Sequence, residues 1–82
     1  LMIELRISSE YKDAELFIRS LKVDDVNLPE GMSIESKVEG KEFEIVIKMR
    51  VTKPNDLMTV RNTADEILAH IKALQSSFDA IS

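Results

Sequence analysis

Between Leu57 and Ile81 the apolar residues Leu57, Val60, Ala64, Ile67, Ile71, Leu74, Phe78 and Ile81 recur at spacings of 3-4-3-4-3-4-3. This regularity predicts a helix from about Asp56 to Phe78 or beyond, with those side chains in one stripe. A long helix with a single apolar stripe has to lie against a second apolar surface. In a chain of 82 residues that surface comes from the preceding segments. Leu1, Ile3, Leu5 and Ile7 alternate with Glu4, Arg6 and Ser8, the period-2 pattern of a half-buried strand. Met32, Ile34 and Val38 alternate with Ser33, Glu35, Lys37 and Glu39 in a second such segment, with Ser36 the one polar residue on the inward register. A third runs from Glu42 to Val51, with Phe43, Ile45, Ile47, Met49 and Val51 on one face and Glu42, Glu44, Lys48 and Arg50 on the other. Only Val46 interrupts that polar face.

A first helix is expected between Glu10 and Lys22, where Ala14, Phe17, Ile18 and Leu21 form an apolar stripe. Ser9 is the expected N-terminal cap, and Glu10 and Asp13 complement the dipole. Asp24, Asp25, Asn27, Pro29 and Gly31 break the pattern as a loop, Glu39-Gly40-Lys41 makes a turn, and Thr52 to Asn55 is a connector ended by Pro54. The element order is therefore β-α-β-β-α. Each strand is apolar on one side only, which predicts an antiparallel sheet with its helices on one face and water on the other. Placing the third strand between the first two makes every pair antiparallel. The result is an α+β fold, strand order 1-3-2, in one domain spanning residues 1–82.

Composition narrows the functional classes. The chain has no Cys, which removes disulfides, thiolate zinc sites and Cys nucleophiles and suits an intracellular, cytoplasmic protein. Its longest apolar run is three residues, so neither a membrane span nor a secretory leader is expected. The net charge of -4 opposes nonspecific attraction to nucleic acid or anionic membranes. A core this small leaves a monomer marginal and makes a partner chain an expectation.

A search for chemistry yields no catalytic set, no metal set and no cofactor. Phosphate loops, nucleophile elbows and calcium loops are absent from the sequence. His70 is the only imidazole, and its expected role is packing or solvent exposure at the edge of the helical stripe. Asp24, Asp25, Asn27 and Glu30 bring several oxygens close in sequence, without the alternating spacing of a calcium loop. The polar face of the sheet carries no aromatic, so it lacks the stacking platform of RNA-reading domains of this topology. Arg6, Lys48 and Arg50, with Lys37 beside them and Arg61 on the last helix, are the candidate phosphate contacts. Interleaved glutamates make cross-strand ion pairs the plainer expectation. On the helices, Leu16 points away from its own apolar stripe. Met58, Asn62, Ala69, Ala73 and Ala80 form a strip of small or unbranched residues opposite Ile67 and Ile71, and such a strip admits close approach of another helix. Leu16, Met58, Asn62, Ala69 and Ala73 are the candidate partner-binding residues. A plain solvated helix surface is the competing reading.

Several segments carry a family resemblance: Ser20-Leu21-Lys22-Val23-Asp24-Asp25, Leu28-Pro29-Glu30-Gly31, the Val38-Glu39-Gly40-Lys41 turn, and Asp56-Leu57-Met58-Thr59-Val60-Arg61-Asn62-Thr63. Together, in length, element order and turn placement, they resemble the small dimerisation subunit of the KEOPS (EKC) complex. The resemblance implies a non-catalytic scaffold subunit that pairs with itself or a paralogue. Its helices would dock on a sugar-kinase-fold threonylcarbamoyl transferase subunit, and it would support formation of threonylcarbamoyladenosine on tRNA, meeting tRNA only in the context of the complex. Met58 stands where that family usually has Arg, and Val23 where it has Pro; the loss of that Arg in an acidic chain fits a diverged paralogue that completes a heterodimer. A stand-alone split β-α-β RNA-binding domain is the alternative, and a small-molecule-binding dimer or enzyme a third.

Overall fold

The computed structural model describes residues 1–21 and 28–81, with the side chain of Ile81 left aside. The expected loop positions Asp24, Asp25 and Asn27, the Val23 departure and the place of Ile81 in the helical stripe all lie outside these descriptions. Strand β1 spans Met2–Glu10, helix α1 Ala14–Leu21, strand β2 Met32–Glu39, strand β3 Glu42–Arg50 and helix α2 Pro54–Ile81. The sheet has three strands in the order β1-β3-β2, antiparallel throughout. This is the expected α+β arrangement.

The register puts Ile3, Leu5 and Ile7 beside Met49, Ile47 and Ile45, and Met32, Ile34 and Ser36 beside the same three residues from the other side. All these positions share one face of the sheet, and both helices cover that face. Phe17, Ile45 and Ile47 are the largest side chains sealed completely, and Ala14, Phe43, Met49, Val60, Ala64, Ile67 and Ile71 complete the cluster. At one end of the core four rings meet. Phe17 lies 5.1 Å from Phe43, 4.9 Å from Tyr11 and 5.9 Å from Phe78, so the start of α1 and the end of α2 are fixed to the same point of the sheet.

Local chemistry shifts some expected boundaries. Ser9 does not cap α1, because β1 continues through it and pairs Ser9 with Phe43 and Glu10 with Glu42. Asp13 takes over: its carboxylate accepts from the Leu16 N–H at 3.2 Å and its carbonyl from the Phe17 N–H at 3.0 Å. Two glycines close the turns at positive φ, Gly31 at 85° before β2 and Gly40 at 60° between β2 and β3. Pro54 opens α2, a position where the missing N–H removes nothing. Leu57, expected in the core stripe, is 49% exposed. Its neighbour Asp56 is buried in its place at the start of the helix.

Asp56 is the buried polar residue among those described, and it closes the turn into α2. Its carboxylate accepts from the Thr52 N–H at 2.9 Å, the Thr52 hydroxyl at 3.2 Å and the Lys53 N–H at 3.2 Å. The bond from the Thr52 N–H, then that from Lys53, holds its pKa below the ordinary carboxylate value. A carboxylate depressed on folding contributes stability that is complete above its unfolded pKa and disappears as pH falls through the lower folded one. Asp56→Ala is therefore expected to lower the melting temperature by several degrees at neutral pH, and the gap to the parent chain should close as the buffer is acidified through the carboxylate range. Parallel thermal melts across pH check both statements.

Candidate functional site

Helix α2 has two unlike flanks. On one, His70, Ala73, Leu74 and Ser77 face Ser20 and Leu21 of α1 across a shallow groove of about 330 Å³. At about 100° per residue, Leu57 and Leu68 lie within roughly 20° of each other on the opposite flank, turned away from α1. They are 49% and 42% exposed. Because α1 packs over β2 and β3 while α2 packs over β3, these leucines lie on the flank of α2 turned toward the side where β1 is the edge strand. There Leu5, on the inner face of the sheet, is still 36% exposed, and Leu1 is almost fully so. One apolar strip thus runs along the β1 side of the molecule, assembled from the inner face of an edge strand and one flank of a helix.

Periodicity alone did not reveal this strip. Leu1, Leu5 and Leu57 each satisfy a core pattern, and whether a patterned side chain is covered depends on how far the helical layer reaches. Leu68 was the available signal: it sits off the 3-4 stripe beside Leu57, where a solvated helix would carry a polar residue.

Leu16, Met58, Asn62, Ala69 and Ala73 are all exposed. They do not form one patch. α1 meets the C-terminal half of α2, and Met58 lies about 22 Å along the helix from Ala73. Met58, Asn62 and Ala69 follow the outer surface of α2, Ala73 turns into the groove between the helices, and Leu16 stands on the outer face of α1. His70 is exposed at the rim of that groove.

The open face of the sheet is a charge lattice. Arg6 donates to Glu4 at 3.0 Å and to Glu44 at 3.0 Å, and Lys48 stands 4.0 Å from Glu4. The bond and the charge of Glu4, then the charge of Glu44, raise the pKa of Arg6. Val46, directly between Arg6 and Glu35 in the register, is covered by this lattice and only 3% exposed although it faces away from the core. Arg50 and Arg61 are exposed and form no ion pair among the described residues. All four aromatics lie on the other side, in or against the core; Tyr11 is half-buried there, and burial, then the charges of Asp79 and Asp13, push its phenol pKa up. Among the described residues no group of His, Asp or Glu is arranged to hold a metal ion, and no helix is long and apolar enough to cross a membrane. At the far end Glu10, Glu42 and Glu39 stand side by side on one rung, bordering a cavity of about 430 Å³.

No family model matches the chain, and neither the curated proteins nor the solved structures contain a match to it.

The glutamate rung sets like charges opposite one another, which weakens strand pairing. Glu42→Lys, at its centre, is expected to stabilise the fold by roughly 0.5 kcal/mol. Urea titrations in low and high salt check this, since the gain should shrink as ions screen the rung.

Proposed function

We propose that this chain is a pairing and scaffold subunit without chemistry of its own, of the kind the small KEOPS subunit represents. It joins a second copy or a paralogue in the cytoplasm, docks the outer faces of its helices on a sugar-kinase-fold threonylcarbamoyl transferase subunit, and so supports threonylcarbamoyladenosine formation on tRNA. The observation that carries the reading is the uncovered apolar strip of Leu1, Leu5, Leu57 and Leu68 along an open sheet edge. An apolar strip beside unpaired backbone groups is a surface made for another chain. The β-α-β-β-α order agrees with the family that the sequence resembles.

Reading the open face as an RNA platform gains no support. Its central cation, Arg6, is held by two carboxylates, and no aromatic is presented there for stacking.

Sedimentation equilibrium of the isolated chain at micromolar concentration is expected to show a dimer. Co-purification with the transferase subunit tests the docking half of the proposal. Ala69→Arg and Ala73→Arg place a charge on exposed helix positions outside the core, so their melting temperatures should match the parent while transferase binding is lost. Retention of the transferase by both variants would move the docking surface elsewhere.

A further inference from the structure

At the end of β3 opposite the glutamate rung, where the chain passes into α2, lies a cavity of about 770 Å³. It is larger than the hollow at the rung or the groove between the helices. Its volume falls within the range of small-molecule sites, roughly 300–1,000 Å³.

Four segments meet around it: the start of β1 at Met2, the turn from Pro29 to Gly31, the end of β3 at Met49 and Arg50, and the stretch from Thr52 to Thr59. The protein's own bonds tie these walls together. Met2 pairs with Arg50 in the sheet, and the Arg50 N–H donates to the Gly31 carbonyl at 3.0 Å. The Asp56 carboxylate joins α2 to the connector by accepting from the Thr52 and Lys53 N–H groups.

The charges around the rim do not cancel. Arg50, Lys53, Glu30 and Asp56 border the cavity. Asp56 is answered from within the protein, since its carboxylate takes those two amides and sits at the positive end of α2. The same bonds mean that these amides are not free to receive a ligand. Arg50 and Lys53 are both exposed and form no ion pair among the described residues. Glu30 sets one negative charge against their two. A chain of net charge -4 thus carries a local excess of positive charge at this rim. Beside it, Met2 and Met49 supply unbranched apolar surface that adapts to what it meets.

We propose that this cavity binds a small organic oxyanion, a carboxylate or a phosphate monoester, with its charged head on Arg50 and Lys53 and its apolar body against Met2 and Met49. A guanidinium can grip either head with two parallel bonds, and the ammonium adds a point charge. The site is separate from the pairing and docking roles, because Leu1, Leu5, Leu57, Leu68, Ala69 and Ala73 do not border it.

Benzoate and phenyl phosphate test it, presenting the two heads on one apolar body; acetate and inorganic phosphate present the heads alone. Each is titrated into the isotope-labelled chain at constant ionic strength while amide spectra are followed. Benzoate or phenyl phosphate is expected to shift the Met49, Arg50, Lys53 and Asn55 amides saturably at millimolar concentration, and to bind more tightly than its bare head. The tighter of the two identifies the natural head. Arg50→Gln and Lys53→Gln should each weaken binding roughly fivefold or more, with spectra that verify the fold. Arg61→Gln, which removes an exposed cation that does not border the cavity, should change nothing. Absence of a saturable shift with every probe overturns the site, as does binding that survives both cavity variants or falls equally in Arg61→Gln. Either result leaves the pairing role standing, and a monomeric parent chain leaves this site standing.

Discussion

Everything in this molecule depends on β3. It is the strand with neighbours on both sides, and along its length Phe43, Ile45, Val46, Ile47 and Met49 are all buried. The inner four anchor the helices, and Phe17 reaches them from α1. Val46 is buried on the other face by charged neighbours whose hydrocarbon stems lie over it. Strands β1 and β2 are held by β3 and have no sheet contact with each other, so β3 alone transmits the position of one edge to the other. Burial of a central strand on both faces leaves each edge strand protected on one side only. The open edges follow from the topology.

Most of this architecture was legible because it rests on pattern. Alternation marked the three strands, and their one-sidedness gave both the antiparallel sense and the single helical layer. The order 1-3-2 followed once β1 and β2 had to run the same way. Boundaries were less legible where two local preferences competed. Ser9 and Glu10 read as a helix opening, yet ladder bonds to β3 held them in the strand and left the cap to Asp13. Thr52 to Asn55 read as a connector, while Pro54 already has the backbone geometry of a first helical residue and Asp56 closes the turn by reaching back.

The candidate site was legible only in part. Leu16 stood out as an apolar residue with no core to enter and is exposed, as is Met58 in the strip on the outer side of the last helix. The β1 strip was hidden because Leu5 and Leu57 obey the same periodicities as residues that are sealed. Periodicity reports which way a side chain points. It does not report where the covering element stops, and at the β1 edge Leu5 stays 36% exposed although it points to the covered face.

The inequality of the two edges has a consequence for assembly. A sheet with two equally inviting edges can grow without limit, edge upon edge, because each added copy presents a fresh free edge. Here the helix packed on β2 carries the exposed Glu15–Arg19 pair, while on the β1 side Leu5, Leu57 and Leu68 are exposed. Pairing of two copies through the leucine-flanked edge about a two-fold axis would use that edge on both and leave only the charged ones outside. In the proposed pairing role assembly would then stop at two, with the outer helix faces, including the exposed Met58, Asn62 and Ala69, still turned to solvent. A closed pair with free helical surfaces could hold a larger partner without polymerising, the exposed Glu15–Arg19 pair on α1 discouraging growth at the outer edges.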